Sequence, residues 1–419
     1  MSFALIDANS FYCSCEAVFN PFYRGKPLVV LSNNDGTVVA ANRLAKQCGV
    51  EKFQPYFKIK ALCEARGVIV RSSNYELYAD ISTKMMNVIG RFAPRQYIYS
   101  IDESFLDLHN CSKSIKDIRQ HGALIKKTVW RECRIPVSVG IGPTLTLAKS
   151  ANHAAKDIAG YQGVCVIDND QERIAVLRTQ QVSDVWGIGS RYAQRLKHMG
   201  IETAYDLSRF EPSKARRYFN VEMERTVREL NGEICKIWDD VRADKQQIYS
   251  TRSVGERITD LNSLQEALAK RVGIAAKKAR AQNSLCKTMI CFAHTSSFDQ
   301  KTDGFKVLHK IPYPTSDTMA LVKLATDSAR QFYKPGVPYY KIGVGLIELV
   351  DGLHEQLDLL NPRQADDELM KVLDGINRKY GNDTMFLAAQ GIEPKWEMRR
   401  ELLSPQYTTK WNDIPKVRC

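Results

Sequence analysis

Hydrophobic positions in the first third of the chain switch between strand and helix periods in a set order. Phe3 to Asp7 (FALID) is an apolar run of strand length, YIYSID and SFLDL form a later pair, the spacing predicts a helix from Ile115 to Cys133, and VSVGIG reads as another buried strand. With a helix following Asn9, the order is β-α-β-β-α-β. Between the first strand and the second lies an insert from Lys26 to Ser73 with its own strand (PLVVLS), a helix around Asn42 to Cys48 and several turns, long enough for a small subdomain. From Asp168 to about Trp238 the pattern is helical and punctuated by glycine. The β-α-β-β-α-β order then returns between Val241 and Val350 as YSTRSVG, a helix from Leu264 to Gln282, KTMICFAHT, FKVLHKI, a helix from Asp317 to Phe332, and KIGVGLIEL. The expected fold class is α+β, with two sheets of one topology and two separate binding faces.

Composition sharpens this picture. A chain of 419 residues exceeds the roughly 250–300 residues at which single cores stop growing, so two to four domains are expected. Its 60 Lys+Arg against 47 Asp+Glu give a net charge of +13, which favours a polyanionic partner, nucleic acid or an anionic membrane. The excess is concentrated: residues 241–350 hold 17 basic and 9 acidic side chains, whereas 351–419 hold 10 and 12, marking the last segment as a partner-binding extension. No apolar run reaches the roughly 18 residues of a membrane span, and Met1-Ser2-Phe3 leads straight into a strand, so no membrane association or export is expected. Eleven cysteines, without a CxxC pair, indicate reduced thiols and hence the cytoplasm.

Asp7 closes an apolar run, so it stands at the end of a buried strand, where a charge needs a partner or a metal. Asp102 and Glu103 are adjacent within YSIDESFLDL; neighbours on a regular strand point to opposite faces, so only a turn or bulge directs both to one site. If the central strands bring that turn beside Asp7, three carboxylates converge and hard cations relieve their repulsion. Mg²⁺, which takes one or two carboxylates plus substrate phosphates, fits. Two such ions suit in-line displacement at a 3′-hydroxyl with pyrophosphate leaving. On spacing alone, a solvated hairpin turn with Asp7 capping the next helix is equally consistent.

DANSFY (Asp7 to Tyr12) followed by YSIDES (Tyr99 to Ser104) resembles the paired palm motifs of the lesion-bypass, or Y-family, DNA polymerases. The resemblance implies a right-hand polymerase with a βαββαβ palm at 1–25 and 74–167, small fingers at 26–73 and a helical thumb at 168–240. A βαββαβ little finger at 241–350 and a C-terminal tail at 351–419 complete it. It implies further that Asp7, Asp102 and Glu103 bind two Mg²⁺, with Mn²⁺ as a substitute and the Ala8 carbonyl assisting, and that Tyr12 is the aromatic sugar gate filling the space of a ribose 2′-hydroxyl. SNYELYAD (Ser73 to Asp80) and ELLSPQYTTKW (Glu401 to Trp411) are similar to the UmuC-type catalytic subunits of bacterial DNA polymerase V in particular, over essentially the whole chain. That similarity implies low-fidelity translesion synthesis in an SOS-type response, on primer–template DNA with deoxynucleoside triphosphates and without proofreading. The implied protein partners are a processed UmuD-type dimer, the sliding clamp and a RecA-type recombinase filament.

An incoming triphosphate needs cations aimed at the carboxylate centre, and Arg43, Lys46 and Lys149 are the candidates. Asn42 and Lys46, four apart on the expected helix, share a face, with Arg43 one position round. Lys149, in TLAKSAN after VSVGIG, lies near a helix start whose amides also favour phosphate. The Y-family pattern carries basic residues at the Lys46 and Lys149 positions, but many relatives have Tyr where this chain has Arg43. VWGIGSRYAQRLKHMGI (Val185 to Ile201) resembles a helix-hairpin-helix, whose Gly187-Ile188-Gly189 turn offers amides to a DNA phosphate without regard to sequence. Gln356-Leu357-Asp358-Leu359-Leu360 resembles the bacterial sliding-clamp-binding peptide.

Three other functions compete. A non-catalytic DNA-repair scaffold has no need of three clustered acids. A helix-hairpin-helix glycosylase or nuclease needs a catalytic Asp or Lys just after the hairpin, where only Asp206 stands, in a segment read as helix. A nucleotidyl cyclase would carry a GG-D/E-EF turn, which this chain lacks.

Overall fold

The computed structural model describes residues 2–111, 114–238, 244–352, 366–381, 383–392, 396 and 398–415. The chain forms two compact units, residues 1–241 with 401–419 and residues 242–400.

The first unit opens with β1 (Phe3–Ala8) and α1 (Phe11–Phe19), then the insert of β2 (Leu28–Leu31), β3 (Val38–Ala41), α2 (Arg43–Gln47), α3 (Tyr56–Ala65) and β4 (Ile69–Ser72). It returns through α4 (Tyr75–Ile89), β5 (Arg95–Ile98), β6 (Glu103–Asp107), α5 (Ile118–Cys133), β7 (Val137–Gly142), α6 (Leu145–Asp157) and β8 (Val164–Val166). The main sheet runs β5-β6-β1-β7-β8, with β1 antiparallel to both β6 and β7. Every residue of β1 and β7 is buried, because helices cover both faces. Ala4 and Ile6 face α1, α4 and α5 in one core, while Phe3 and Leu5 face α6 in another. Strand alternation therefore puts Asp7 on the α6 side.

α6 lies against β7 because the strand has no side chain there. A Cβ at Gly140 would collide with the backbone of Ala148 and Asn152. Asn152, buried, pins the helix by donating from Nδ2 to the carbonyls of Leu5 (3.2 Å) and Ser138 (2.9 Å).

The insert has three strands, in the order β3-β2-β4, around a core of its own that includes Val29, Leu31, Val38, Ile59 and Cys63. Of these strands only β2 was expected; β3 and β4 were not. The expected YIYSID strand is also shifted: β5 ends at Ile98, and Tyr99 to Asp102 form the hairpin turn. After β8 come α7 (Asp170–Thr179), α8 (Ser190–His198), α9 (Ala204–Ser208), α10 (Pro212–Tyr218) and α11 (Val221–Leu230), packed around Val176, Leu196, Leu207 and Val227.

The second unit is β9 (Ile248–Ile258), α12 (Leu261–Ala281), β10 (Ser284–His294), β11 (Gly304–Thr315), α13 (Thr318–Phe332) and β12 (Tyr339–Asp351), with sheet order β11-β10-β12-β9. Met289, Cys291, Ile342 and Val344 pack against Leu268, Val272 and Leu321 of α12 and α13. α14 (Asp367–Tyr380) joins this unit through Arg280 and Asp374, paired at 2.7 Å, and Trp396 is buried in the same core. The C-terminal extension, expected as one segment, thus divides: residues up to 400 belong to the second unit, and 401–419 to the first. Among the described residues ten cysteines are free thiols, and no helix is long and apolar enough to cross a membrane.

Candidate active site

Asp7, the next-to-last residue of β1, is in register with Glu103 of β6 and with Ser138 of β7. Its carboxyl and that of Glu103 adjoin across the strand pair closely enough to influence each other's titration. Lys156 Nζ stands 2.6 Å from Asp7 Oδ2, and Lys149 Nζ lies 2.9 and 3.1 Å from the two oxygens of Glu103. Both lysines come from α6, seven residues apart and therefore on one face two turns apart.

Burial drives Asp7 up to about 7, with the neighbouring Glu103 pushing the same way and Lys156 only partly offsetting them. Burial also works upward on Glu103, but the hydrogen bond from Asp7 and the charge of Lys149 outweigh it and hold Glu103 below its ordinary value. Of the two, Asp7 is therefore the carboxyl more easily protonated. Lys149 is fixed further by lying 4.8 Å from the ring centre of Tyr99 and 5.5 Å from that of Trp186.

Asp102 sits in the hairpin turn, the device required for adjacent acids to serve one site. Its carbonyl accepts from the Ala8 amide (3.0 Å), tying the turn to the end of β1. The Ser100 hydroxyl donates to Asp102 Oδ1 (2.5 Å) and accepts from the amides of Asp102 (3.3 Å) and Glu103 (3.0 Å). The expected convergence is therefore met in part. Asp7 and Glu103 touch, Asp102 is bound to the same strand end by its main chain, and no group of three metal-ligating side chains at metal-holding distance occurs among the described residues. Like charges at close range need separate compensation, and the three acids have taken Lys156, Lys149 and Ser100. The donor set is nonetheless all hard oxygen, carboxylates with adjacent main-chain carbonyls, and so suits Mg²⁺ better than a soft metal.

Tyr12, on the first turn of α1, is half-buried, stacked on Tyr78 of α4 (ring centres 4.6 Å, 17°) and edge-on to Tyr75 (5.9 Å). Burial and then the proximity of Tyr75 and Asp102 raise its phenol, so the ring adjoins the carboxylate region.

Arg43 and Lys46 lie on α2, both exposed. Asn42 does not share a helix face with Lys46: it precedes the helix and caps it, accepting from the Ala45 amide at 2.9 Å. An Asn at that position stabilises better as a cap than inside a five-residue helix.

Gly187 and Gly189 are exposed around buried Ile188. Gly187 has φ +90°, a conformation for which glycine is suited, and Gly189 is the N-cap of α8. The element just before the turn is a single 3₁₀ turn, Val182–Asp184, rather than a full helix. Asp206 is spent on structure: its carboxylate closes a capping box with Thr203, whose hydroxyl and amide hold it below its usual value. The clamp-type peptide Gln356 to Leu360 lies outside the described residues.

On the second unit the sheet face away from α12 and α13 carries cross-strand rows of exposed and half-buried side chains. One row is Lys306, Phe292, Gly343 and Thr251; the next is Leu308, Ile290, Gly345 and Tyr249. The two glycines leave room for the Phe292 and Tyr249 rings to lie over β12. Lys310 and Lys341 extend the basic rim.

Comparison with known proteins places this geometry in a family. The impB/mucB/samB family matches residues 6–153, its C-terminal domain matches 245–359, and a domain of unknown function matches 367–417. UmuC of Salmonella typhimurium strain LT2 is 41% identical over 422 residues, covering 99% of this chain and all of that one. The chain belongs to the UmuC-type Y-family DNA polymerases. SamB of Salmonella typhimurium is 40% identical over 99% of both chains, and DNA polymerase IV of Pelotomaculum thermopropionicum is 26% identical over 94% of this chain and 96% of that one. The fold agrees with a Y-family DNA polymerase chimera of Dbh and Dpo4 (TM-score 0.65, 22% identity, 84% of this chain and 100% of that one). An insertion ternary complex of Dbh DNA polymerase aligns over the same shares with a TM-score of 0.52.

Two residues of this UmuC-type site escaped sequence reasoning. Lys156 could have been found from its seven-residue spacing to Lys149 on one helix, and Ser100 from its place in YSIDES.

Proposed function

We propose that this polymerase adds deoxynucleotides to a primer 3′ end opposite damaged template bases, with the chemistry seated at Asp7, Glu103 and Asp102. The observation that carries the reading is the meeting of Asp7 and Glu103 across β1 and β6 under two lysines of α6. Asp7, Asp102, Glu103 and the Ala8 carbonyl would hold two Mg²⁺, which when bound supply activation of the primer hydroxyl and charge neutralisation at the leaving pyrophosphate. Lys149 and Lys156 keep the acids compensated before substrate arrives and present positive charge to the triphosphate. Tyr12 closes the space beside the sugar, and Arg43 and Lys46 serve the outer phosphates from α2.

Under this reading residues 1–25 with 74–167 are the palm, 26–73 the fingers, 168–240 the thumb and 241–350 the little finger. Gly187 and Gly189 meet a duplex phosphate, and the helix-free sheet face of the second unit meets the duplex. A processed UmuD-type dimer, the sliding clamp (through Gln356 to Leu360) and a RecA-type filament are the proposed partners, in an SOS-type response within the cytoplasm.

The test is primer extension on damaged template with Mg²⁺, with and without those partners, comparing the parent with Asp102→Asn. Loss of extension by at least about 100-fold is expected, the scale of one removed group that stabilises charge in the transition state. Equal extension by both overturns the site, and DNA binding without synthesis under every condition favours a scaffold.

A further inference from the structure

Tyr12 and Glu16 are four residues apart on α1 and share a face. Glu16 is 1% exposed, and its Oε1 accepts two hydroxyls: Tyr78 at 2.6 Å and Ser404 at 3.0 Å. Tyr78 is the ring on which Tyr12 stacks, and it is fully buried. Ser404 comes from the far end of the chain, within the domain of unknown function.

The segment carrying Ser404 is held at several points. Leu402 exchanges hydrogen bonds with Ser72, amide to Oγ at 2.9 Å and Ser72 amide to carbonyl at 3.1 Å, and its side chain packs on the core of the insert. Tyr407 stacks on Phe19 of α1 (4.7 Å, 14°). Asn74, fully buried, donates to Ser404 Oγ (2.9 Å), the Ser404 carbonyl (3.2 Å) and the Pro405 carbonyl (3.2 Å), while its Oδ1 caps α4 by accepting from the Leu77 amide (3.4 Å). α4 carries Tyr75 and Tyr78, the two rings that touch Tyr12. The Ser404 hydroxyl accepts from Asn74, so its proton is committed to Glu16.

We propose that the C-terminal segment around Ser404 is a positioning element for sugar selection, bracing Tyr12 through Glu16 and Tyr78 from one side and through the Asn74 cap of α4 from the other. The inference rests on Tyr12 acting as the sugar gate. Discrimination at a steric gate depends on how little the ring yields, since a ribose 2′-hydroxyl needs only a small displacement to fit. A ring stacked on a hydrogen-bonded partner yields less than one stacked on a free partner.

The test uses the full-length protein with its partners, measuring single-nucleotide insertion of dCTP and CTP opposite template guanine. Ser404→Ala is expected to raise the CTP-to-dCTP ratio of kcat/KM by about 10-fold, the lower end of what a lost hydrogen bond to a charged group is worth, with kcat/KM for dCTP unchanged. Tyr78→Phe should loosen the ratio as well, and the double variant by less than the two effects combined, because the Glu16–Tyr78 route is common to both while Ser404 also serves Asn74. A fall of both substrates together, or additive loosening in the double variant, overturns the bracing. Tyr12→Ala separates the two claims. If it leaves the ratio unchanged, the sugar-gate reading fails and the bracing with it; if it loosens the ratio while Ser404→Ala does not, the bracing alone fails.

Discussion

Replacing Glu229 by Gln tests how α6 is held at the site. Glu229, at the end of α11, is fully buried, and its carboxylate accepts from the Thr146 amide (3.0 Å), the Thr146 hydroxyl (2.5 Å) and the amides of Cys235 (3.3 Å) and Lys236 (2.7 Å). Its own carbonyl accepts from Thr144, the N-cap of α6, at 2.9 Å. All four partners of the carboxylate are donors, so a Gln amide nitrogen must face donors whichever way it turns. The loss is one or more hydrogen bonds to a charge, about 1.5–3 kcal/mol, plus buried donors left unsatisfied at about 1–3 kcal/mol, for about 4 kcal/mol together. At roughly 2–4 °C per kcal/mol for a unit of this size, the first thermal transition should fall by about 12 °C. Differential scanning calorimetry reads this directly, and insertion should weaken as well, since Lys149 and Lys156 ride on the same helix. A shift below about 3 °C would refute the reasoning, because four donors cannot lose an anionic acceptor in a dry site at so small a cost.

Glu16 gives a pH signature. Burial holds its carboxyl above the ordinary 4.5 against the opposing Tyr78 and Ser404 hydroxyls and Arg71, so its contribution to stability is full below about pH 4.5 and lost as pH rises through the folded value. Glu16→Gln should therefore flatten the decline of the melting temperature above pH 4.5, and superimposable parent and variant curves would sink the assignment. Lys156→Met removes the partner of a carboxyl whose side chain is 11% exposed while the lysine is 32% exposed; a loss of about 1–2 kcal/mol in denaturant unfolding is expected, less than for a fully dry pair. Lys306→Ala and Lys310→Ala on exposed positions of β11 should each lower the slope of log affinity against log salt for duplex DNA by about 1 without changing sequence preference; unchanged slopes would remove that face from the duplex.

Long periodic elements were legible in the sequence because burial and period coincide there. β1, β7, α5 and the six elements from β9 to β12 appear where alternation and helical spacing put them, within a few residues. The misses share a cause: local hydrogen bonding decided them, not period. Asn42 reads as a helical residue by spacing, yet its side chain is worth more as a cap. YIYSID reads as one strand, yet Ser100 captures two amides and folds its second half into a turn. The division of the C-terminal extension is set by partners more than 300 residues away in sequence, such as Asn74 for Ser404, which no window can register.

At the site, acid positions were legible and their compensation was not. An acid interrupting an apolar strand is conspicuous, whereas a lysine on an amphipathic helix looks like any solvated lysine. Lys149 was expected to meet phosphate and Lys156 was not expected at all, yet both neutralise the acids. These two roles are compatible under the proposed reading. A triphosphate that drew Lys149 and Lys156 onto its oxygens would leave Asp7 and Glu103 to hold cations, so the acids would exchange one positive partner for another. A site arranged in this way would keep its buried carboxyls compensated as substrate binds, which a bare triad of acids on a dry sheet could not do.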